Sequence, residues 1–267
     1  LLSKKSKVNL NNNTILITGG GSGIGLALAV AFLKCGNKII ISGRNIERLK
    51  SAKRNFPELE IIQCDISSEA SVRALVQEIR QKYPALNFLV NNAGMMRMWN
   101  IRRETINLNE QKEEILSNLF GTIQLTQSLL PFLLAQKNSA VLTVSSALAY
   151  VPMSAAPVYS ATKAALHSYS VSTRQQLQNT GIKIFELLPG AIETEMSVKM
   201  EKSLGIESNK AKVLPEKLAL LTLKGLKNDK YEIRPGMANS LYIIHRLFPS
   251  LAKKILQKQS DQMLAKL

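Results

Sequence analysis

The sequence predicts a doubly wound parallel α/β sheet of seven strands, in one domain, with helices on both faces. Three observations carry this expectation. Short β-branched runs alternate with longer stretches whose apolar residues recur at three- and four-residue spacing. The strand-like runs are apolar almost throughout, as in strands buried on both faces, rather than alternating. The chain has 267 residues, 45% of them apolar and 20% charged. It shows no repeat and no linker-like change of composition, and α/β folds of this length often form one domain.

The elements follow in order. Strands are expected over 14–18, 38–42, 59–64, 87–91, 140–145 and 183–188. Helical periodicity occupies 24–33, 71–83, 111–134 and 160–177. Strand, helix and parallel strand in succession imply right-handed crossovers. The pattern loosens from Ala191 to Val213, where charged residues are mixed with Met196 and Met200. A substrate lid is expected over about 191–214, since loose segments at the carboxyl edge of a parallel sheet usually serve that role. A helix over 215–226 and a short strand over 231–234 complete the core. The final segment, 240–267, reads as a basic amphipathic tail with five lysines or arginines outside its apolar positions, kinked at Pro249. Such a tail either packs on its own domain or a sister subunit, or lies on acidic lipid.

Composition narrows the function. Thirty-five basic against nineteen acidic residues leave a net charge of +16, which favours anionic partners. A nucleic-acid role is not expected, because no aromatic stacking platform or reading module is present. No apolar run approaches the ~18 residues needed to cross a bilayer. Cys35 and Cys64 are too few for a disulfide framework or a zinc site and read as buried, inert thiols. The residues before Asn13 lack an apolar signal-peptide core, so a cytoplasmic location is expected.

The strongest local signal is Thr18-Gly19-Gly20-Gly21-Ser22-Gly23-Ile24-Gly25, after a strand and opening a helix. Glycines there permit a tight turn and let backbone N–H groups approach a diphosphate at the positive end of the helix. No Gly-Lys-Ser/Thr follows, so a P-loop is excluded and a dinucleotide is favoured. The second strand ends Ser42-Gly43-Arg44. An acidic residue near this place suits NAD, whereas Arg44 suits the 2′-phosphate of NADP. NADP(H) is therefore the expected coenzyme, with NAD(H) the second choice; the competing reading of Arg44 is a solvated loop residue. Asp65, before Ile66, would accept a hydrogen bond from an adenine amino group or cap the next helix. Asn91-Asn92-Ala93-Gly94 ends the fourth strand with small residues that allow close approach to a ribose.

Tyr159-Ser160-Ala161-Thr162-Lys163 puts a phenol and an amine four residues apart on one helix face. Ser146 stands thirteen residues before the tyrosine, just past a strand. A tyrosine of ordinary pKa ≈ 10 is a poor base near neutrality, and a neighbouring ammonium favours its phenolate.

With these motifs in this order, the sequence resembles the short-chain dehydrogenase/reductase family, over roughly residues 11–236. The diagnostic elements are the glycine turn, Asn-Asn-Ala-Gly, the Ser146/Tyr159/Lys163 set and Pro189-Gly190. The run around Val158-Tyr159-Ser160-Ala161-Thr162-Lys163 is most similar to the bacterial DltE-type reductases. The resemblance implies a Rossmann-type sheet and hydride exchange between a nicotinamide and a carbonyl or alcohol. It implies Tyr159 as general acid/base and Ser146 as hydrogen-bond partner of the substrate oxygen. Lys163 would bind the nicotinamide ribose and lower the tyrosine pKa, and Asn118 would hold a relay water. Pro189, Gly190, Ile192 and Thr194 would surround the nicotinamide, and the long helices carrying Asn118 and Tyr159 would pair in a homodimer or homotetramer. One departure is Ser22, where some NADP-preferring relatives carry a basic residue.

Met95, Met96, Met98, Trp99, Tyr150, Val151 and Met153 follow strand ends, and Met196 and Met200 lie in the expected lid. Such linings suit an adaptable apolar substrate, or else fill the core. His167 and His245 have no partners at metal-ligand spacing, and no metal site is expected. Against an oxidoreductase stands a dinucleotide-binding regulator or scaffold without turnover.

Overall fold

The computed structural model of the protein describes residues 7–102, 107–205 and 212–267. Among them lie seven strands: β1 (Thr14–Thr18), β2 (Lys38–Gly43), β3 (Glu60–Gln63), β4 (Leu86–Asn91), β5 (Ser139–Val144), β6 (Ile182–Leu187) and β7 (Glu232–Ile233). All pair in parallel, in the order β3-β2-β1-β4-β5-β6-β7. The expected topology is therefore present. Every residue of β5 is buried, which explains why the strands read as apolar runs.

Helices α1 (Gly23–Leu33), α2 (Ile46–Asn55) and α8 (Pro215–Lys227) contribute to one face; α3 (Glu69–Lys82) and α5 (Gly121–Ala135) cover the other. Two apolar layers result. Ile15, Ile17, Phe32, Ile41 and Phe185 lie in the first, and Leu16, Ile40, Leu89, Leu125 and Val141 in the second. Alternation along β1 sends successive side chains to opposite faces.

Several boundaries depart from expectation. Helix α2 is absent from the sequence reading because only Leu49 and Ala52 are buried, a stripe too narrow to stand out. The helix expected over 111–134 begins earlier, as α4 (Leu108–Ile115), where the Asn107 side chain accepts from the N–H groups of Asn109 and Glu110. A π turn, Leu116–Phe120, then separates α4 from α5. The loose segment contains helix α7 (Glu195–Leu204), stabilised by a reciprocal capping box between Thr194 and Ser197 and closed by Gly205 at φ +57°. Residues 206–211 of the expected lid lie outside the described residues. At Pro249 the tail is broken rather than kinked: α9 (Met237–Leu247) ends before it, and it opens α10 (Pro249–Leu264). Cys64 is buried, but Cys35 is partly exposed, because α1 ends before it and it stands in a turn.

Candidate active site

The strand order reverses between β1 and β4, the kind of switch point at whose carboxyl ends open α/β sheets bind their ligands. Thr18 laces the ends of these two strands together. Its Oγ1 accepts from the backbone N–H groups of Asn92 at 2.9 Å and Ala93 at 3.0 Å. Asn92 Nδ2 donates to the carbonyls of Thr18 at 2.9 Å and Gly19 at 3.2 Å. Gly19 has φ +64°, a conformation that glycine adopts without strain. A Cβ at Gly25 would stand 2.3 Å from the Gly19 carbonyl oxygen, so only glycine lets α1 approach the turn this closely. Gly23 opens α1, and Ser22 before it makes no side-chain capping bond. The first-turn N–H groups are therefore left for an outside acceptor, which fits a diphosphate. Gly21 lies beneath Arg48, and Ile24 packs on the core.

Around the rim, Arg44 is exposed and ion-paired, its Nη1 3.0 Å from Glu113 Oε1. Glu113 also takes Arg97 Nη2 at 2.6 Å. The Arg97 hydrogen bond, reinforced by Arg44, holds the Glu113 carboxyl below the usual range. Arg48 reaches Glu195 at 2.8 Å, tying α2 to the start of α7. Asp65 caps no helix: its Oδ1 accepts from the N–H and hydroxyl of Ser67, at 2.9 and 2.7 Å. Ser68 caps α3 instead. Ile66 is buried, and its carbonyl lies against Gly121 of α5.

The catalytic candidates converge beyond the end of β5. Helix α6 (Pro157–Gln176) carries Tyr159, Lys163 and His167 at four-residue spacing. Lys163 is buried, donates to the Val144 carbonyl at 2.9 Å and lies 5.4 Å from the centre of the Tyr159 ring. Ser146 stands beside Tyr159, near enough to favour its ionised form, and its Oγ accepts from Leu148 N at 3.1 Å. Gly94 faces this group, since a Cβ there would stand 3.2 Å from Asn118 Oδ1 and 3.7 Å from Lys163 Nζ. Asn118 is fully buried in the π turn. Its side chain accepts from Met95 N at 2.8 Å and donates to Met95 O at 2.7 Å, and its backbone carbonyl accepts from Thr122 Oγ1. The Pro189 carbonyl accepts from Ala147 N at 2.9 Å. Past Gly190, Ile192 bridges to Val213, and Thr194 lies beside Gly23.

Burial decides the protonation states. It pushes the Tyr159 phenol up to about 12, against a lowering hydrogen bond from Ser146. Burial also draws Lys163 down to about 8, opposed by the carboxylates of Glu186 and Glu114. The resemblance implies a lowered tyrosine; in this cavity desolvation of the phenolate is the larger effect. Tyr159 is thus a neutral proton donor at neutral pH, and Lys163 is mostly charged.

Two carboxylates that the sequence reading did not single out stand close by. Glu186, fully buried on β6, accepts from Ser145 Oγ at 2.5 Å and pairs with His167 Nδ1 at 2.7 Å. A lone glutamate inside an apolar strand run was the available signal. Glu114, also fully buried, lies one turn before Asn118. Met96, Met98 and Tyr159 pack, partly buried, against a cluster of Met153, Ala155, Ala156 and Met263 of α10, joined by Leu264. Val151 and Trp99 are buried, whereas Met196 is exposed; the Met200 side chain lies outside the described residues.

A glycine-turned dinucleotide crevice beside a serine, tyrosine and lysine defines an NAD(P)-dependent dehydrogenase or reductase. The sequence profile described as "short chain dehydrogenase" matches residues 13–205, and the chain belongs to that family. It is 38% identical over 224 residues to the uncharacterised oxidoreductase DltE of Bacillus subtilis, covering 84% of this chain and 88% of that one. A dehydrogenase/reductase SDR family protein 7-like protein of Anopheles gambiae is 26% identical over 273 residues, covering 95% and 85%. Among solved structures, a short-chain dehydrogenase of Burkholderia cenocepacia in complex with NADP superposes with a TM-score of 0.80 at 23% identity, over 93% and 99% of the two chains. The 3-ketoacyl-(acyl-carrier-protein) reductase of Brucella melitensis, complexed with NADH, gives 0.73 at 26%, over 84% and 94%.

Proposed function

We propose that the protein reduces the carbonyl group of a lipophilic small molecule with NADPH, Tyr159 giving the proton. The observation that carries this reading is the placement of Tyr159, its ring centre 5.4 Å from Lys163 Nζ, beside Ser146 and against a methionine-rich apolar cluster. A neutral phenol is the state needed for reduction; alcohol oxidation would need the phenolate.

The bound coenzyme supplies hydride chemistry; the chain's residues bind, orient and move the proton. The turn from Gly19 to Gly25 and the start of α1 hold the diphosphate. Arg44 holds the 2′-phosphate in place of the Glu113 carboxylate, while Asp65 and Ile66 border the adenine. Asn92, Ala93, Gly94 and Lys163 border the nicotinamide ribose. Pro189, Gly190, Ile192 and Thr194 border the ring. Ser146 and Tyr159 receive the substrate oxygen, and Asn118 keeps the Met95 backbone beside them. Apolar methionine side chains exclude water and adapt to varied substrates. Residues about 191–214 act as the lid, for which the Arg48–Glu195 pair between α2 and α7 is a ready clasp.

The same reading makes the enzyme a homodimer or homotetramer through the helices of Asn118 and Tyr159, along which Ile115, Phe120 and Leu134 stand exposed. Two free cysteines favour a reducing, cytoplasmic setting. The test is coenzyme oxidation with a panel of aldehydes and ketones of increasing chain length. The expected result is faster turnover with longer apolar substrates and with NADPH over NADH. Equal rates for short polar carbonyls would contradict the substrate class.

A further inference from the structure

Glu114 occupies a position that packing alone does not explain. It is fully buried, yet its Oε1 has only a long 3.4 Å hydrogen bond from the Arg97 backbone N–H. Its Oε2 has no hydrogen-bond partner among the described residues. A buried, half-satisfied carboxyl is costly, and such groups gather at functional sites. Helix α4 packs against α6, and Glu114 stands one turn before Asn118, whose Oδ1 faces Gly94 together with Lys163 Nζ, so its charge reaches Tyr159 and Lys163. The charged and titratable groups around it are Arg97 from the segment after β4, and Tyr159 and Lys163 from α6. Glu110 and Glu113 on its own helix are drawn outward by the Arg97 guanidinium. Glu186 faces Lys163 from β6.

We propose that the Glu114 carboxyl is the proton reservoir of the Tyr159–Lys163 pair. This rests on the reading of those two residues given above. During reduction the Tyr159 O–H bond breaks as the substrate O–H bond forms, while the hydride from NAD(P)H supplies the electron pair to the carbonyl carbon. The phenolate then regains its proton at the expense of the Lys163 ammonium, and the resulting amine at the expense of the Glu114 acid, each transfer carried by water between the side chains, since Lys163 Nζ bonds the Val144 carbonyl and Glu114 Oε2 has no protein partner among the described residues. The carboxylate refills from solvent on the side of the partly exposed Arg97. One hydride and one solvent proton are consumed per carbonyl, and the three side chains return to their starting states. Burial supports the role by raising the Glu114 carboxyl to about 7, so near neutrality it both stores and gives up a proton.

Glu114→Gln keeps the shape and removes the titration. The expected result is a fall in kcat of about tenfold or more, loss of the ionisation near neutrality from its pH profile, and an unchanged KM for the coenzyme. Wild-type kcat with a wild-type profile would overturn the proposal. A second measurement needs no variant. In a single turnover of wild type, coenzyme oxidation followed by absorbance should precede proton uptake followed by an indicator dye. Simultaneous uptake of the solvent proton would overturn it. Should Tyr159→Phe keep full activity, the reading of the site itself fails; should Tyr159→Phe be inactive while Glu114→Gln is normal, only the reservoir fails.

Discussion

Tyr159 and Lys163 sit in a cavity dry enough to disfavour both charges, so the phenol rises and the amine falls. The same competition between charge and surroundings governs Arg44. Its guanidinium is engaged by Glu113, so a coenzyme phosphate must displace a carboxylate to reach it. Both partners are well exposed, and such pairs contribute roughly 0.2–1 kcal/mol. Glu113→Gln should therefore tighten NADPH binding by about 1.4- to fivefold and leave NADH binding unchanged, as titration of each coenzyme would show. Equal tightening of both would remove Arg44 from the phosphate site. The sequence displayed Arg44, Ser146, Tyr159 and Lys163 through spacing. It did not display Glu113, Glu114 or Glu186, because their partners come from distant elements and a charged residue on a helix or strand ordinarily faces water.

Among the elements, α6 and β6 are joined by a half-buried pair, beside the Arg174 Nε bond to the Ile184 carbonyl. His167 touches Glu186, and that hydrogen bond raises the histidine pKa above its usual 6.5 despite burial. A raised histidine stabilises the fold fully below its unfolded pKa, and the contribution is lost as pH rises through the folded value. His167→Asn should cost about 3 kcal/mol at pH 6, with the difference shrinking as pH rises above the folded value; denaturant unfolding at several pH values measures it. A penalty independent of pH would show that the imidazole charge does not matter. The strands were legible because both of their faces are buried. Helices α2 and α7 were not, since one buries a narrow stripe and the other depends on a cap between Thr194 and Ser197. The π turn that places Asn118 has no periodicity to reveal it.

Across the whole molecule, no described helix is long and apolar enough to cross a membrane. The tail nevertheless presents two faces. Its inner face packs Met263 and Leu264 near Tyr159, and Asn100 Nδ2 donates to the Leu264 carbonyl at 3.0 Å. Its outer face exposes Ile243, Leu247, Phe248, Leu251 and Ile255 beside Arg246, Lys253, Lys254 and Lys258. An apolar ridge flanked by cations complements acidic lipid, at about 1 kcal/mol per basic residue near the surface. The protein should co-sediment with vesicles rich in phosphatidylserine, weakly with phosphatidylcholine, and Phe248→Ser with Leu251→Ser should reduce that binding. Equal binding of both vesicles would contradict attraction to acidic lipid, and a wild-type dimer that these changes dissociate would assign the ridge to a second copy of the chain.

The proposed reduction depends on the Tyr159 hydroxyl delivering the proton. Steady-state reduction of the best aldehyde by Tyr159→Phe, with coenzyme binding measured in parallel, checks this. The expected result is a loss of at least about a hundredfold in kcat with coenzyme affinity retained; turnover at the wild-type rate would contradict it.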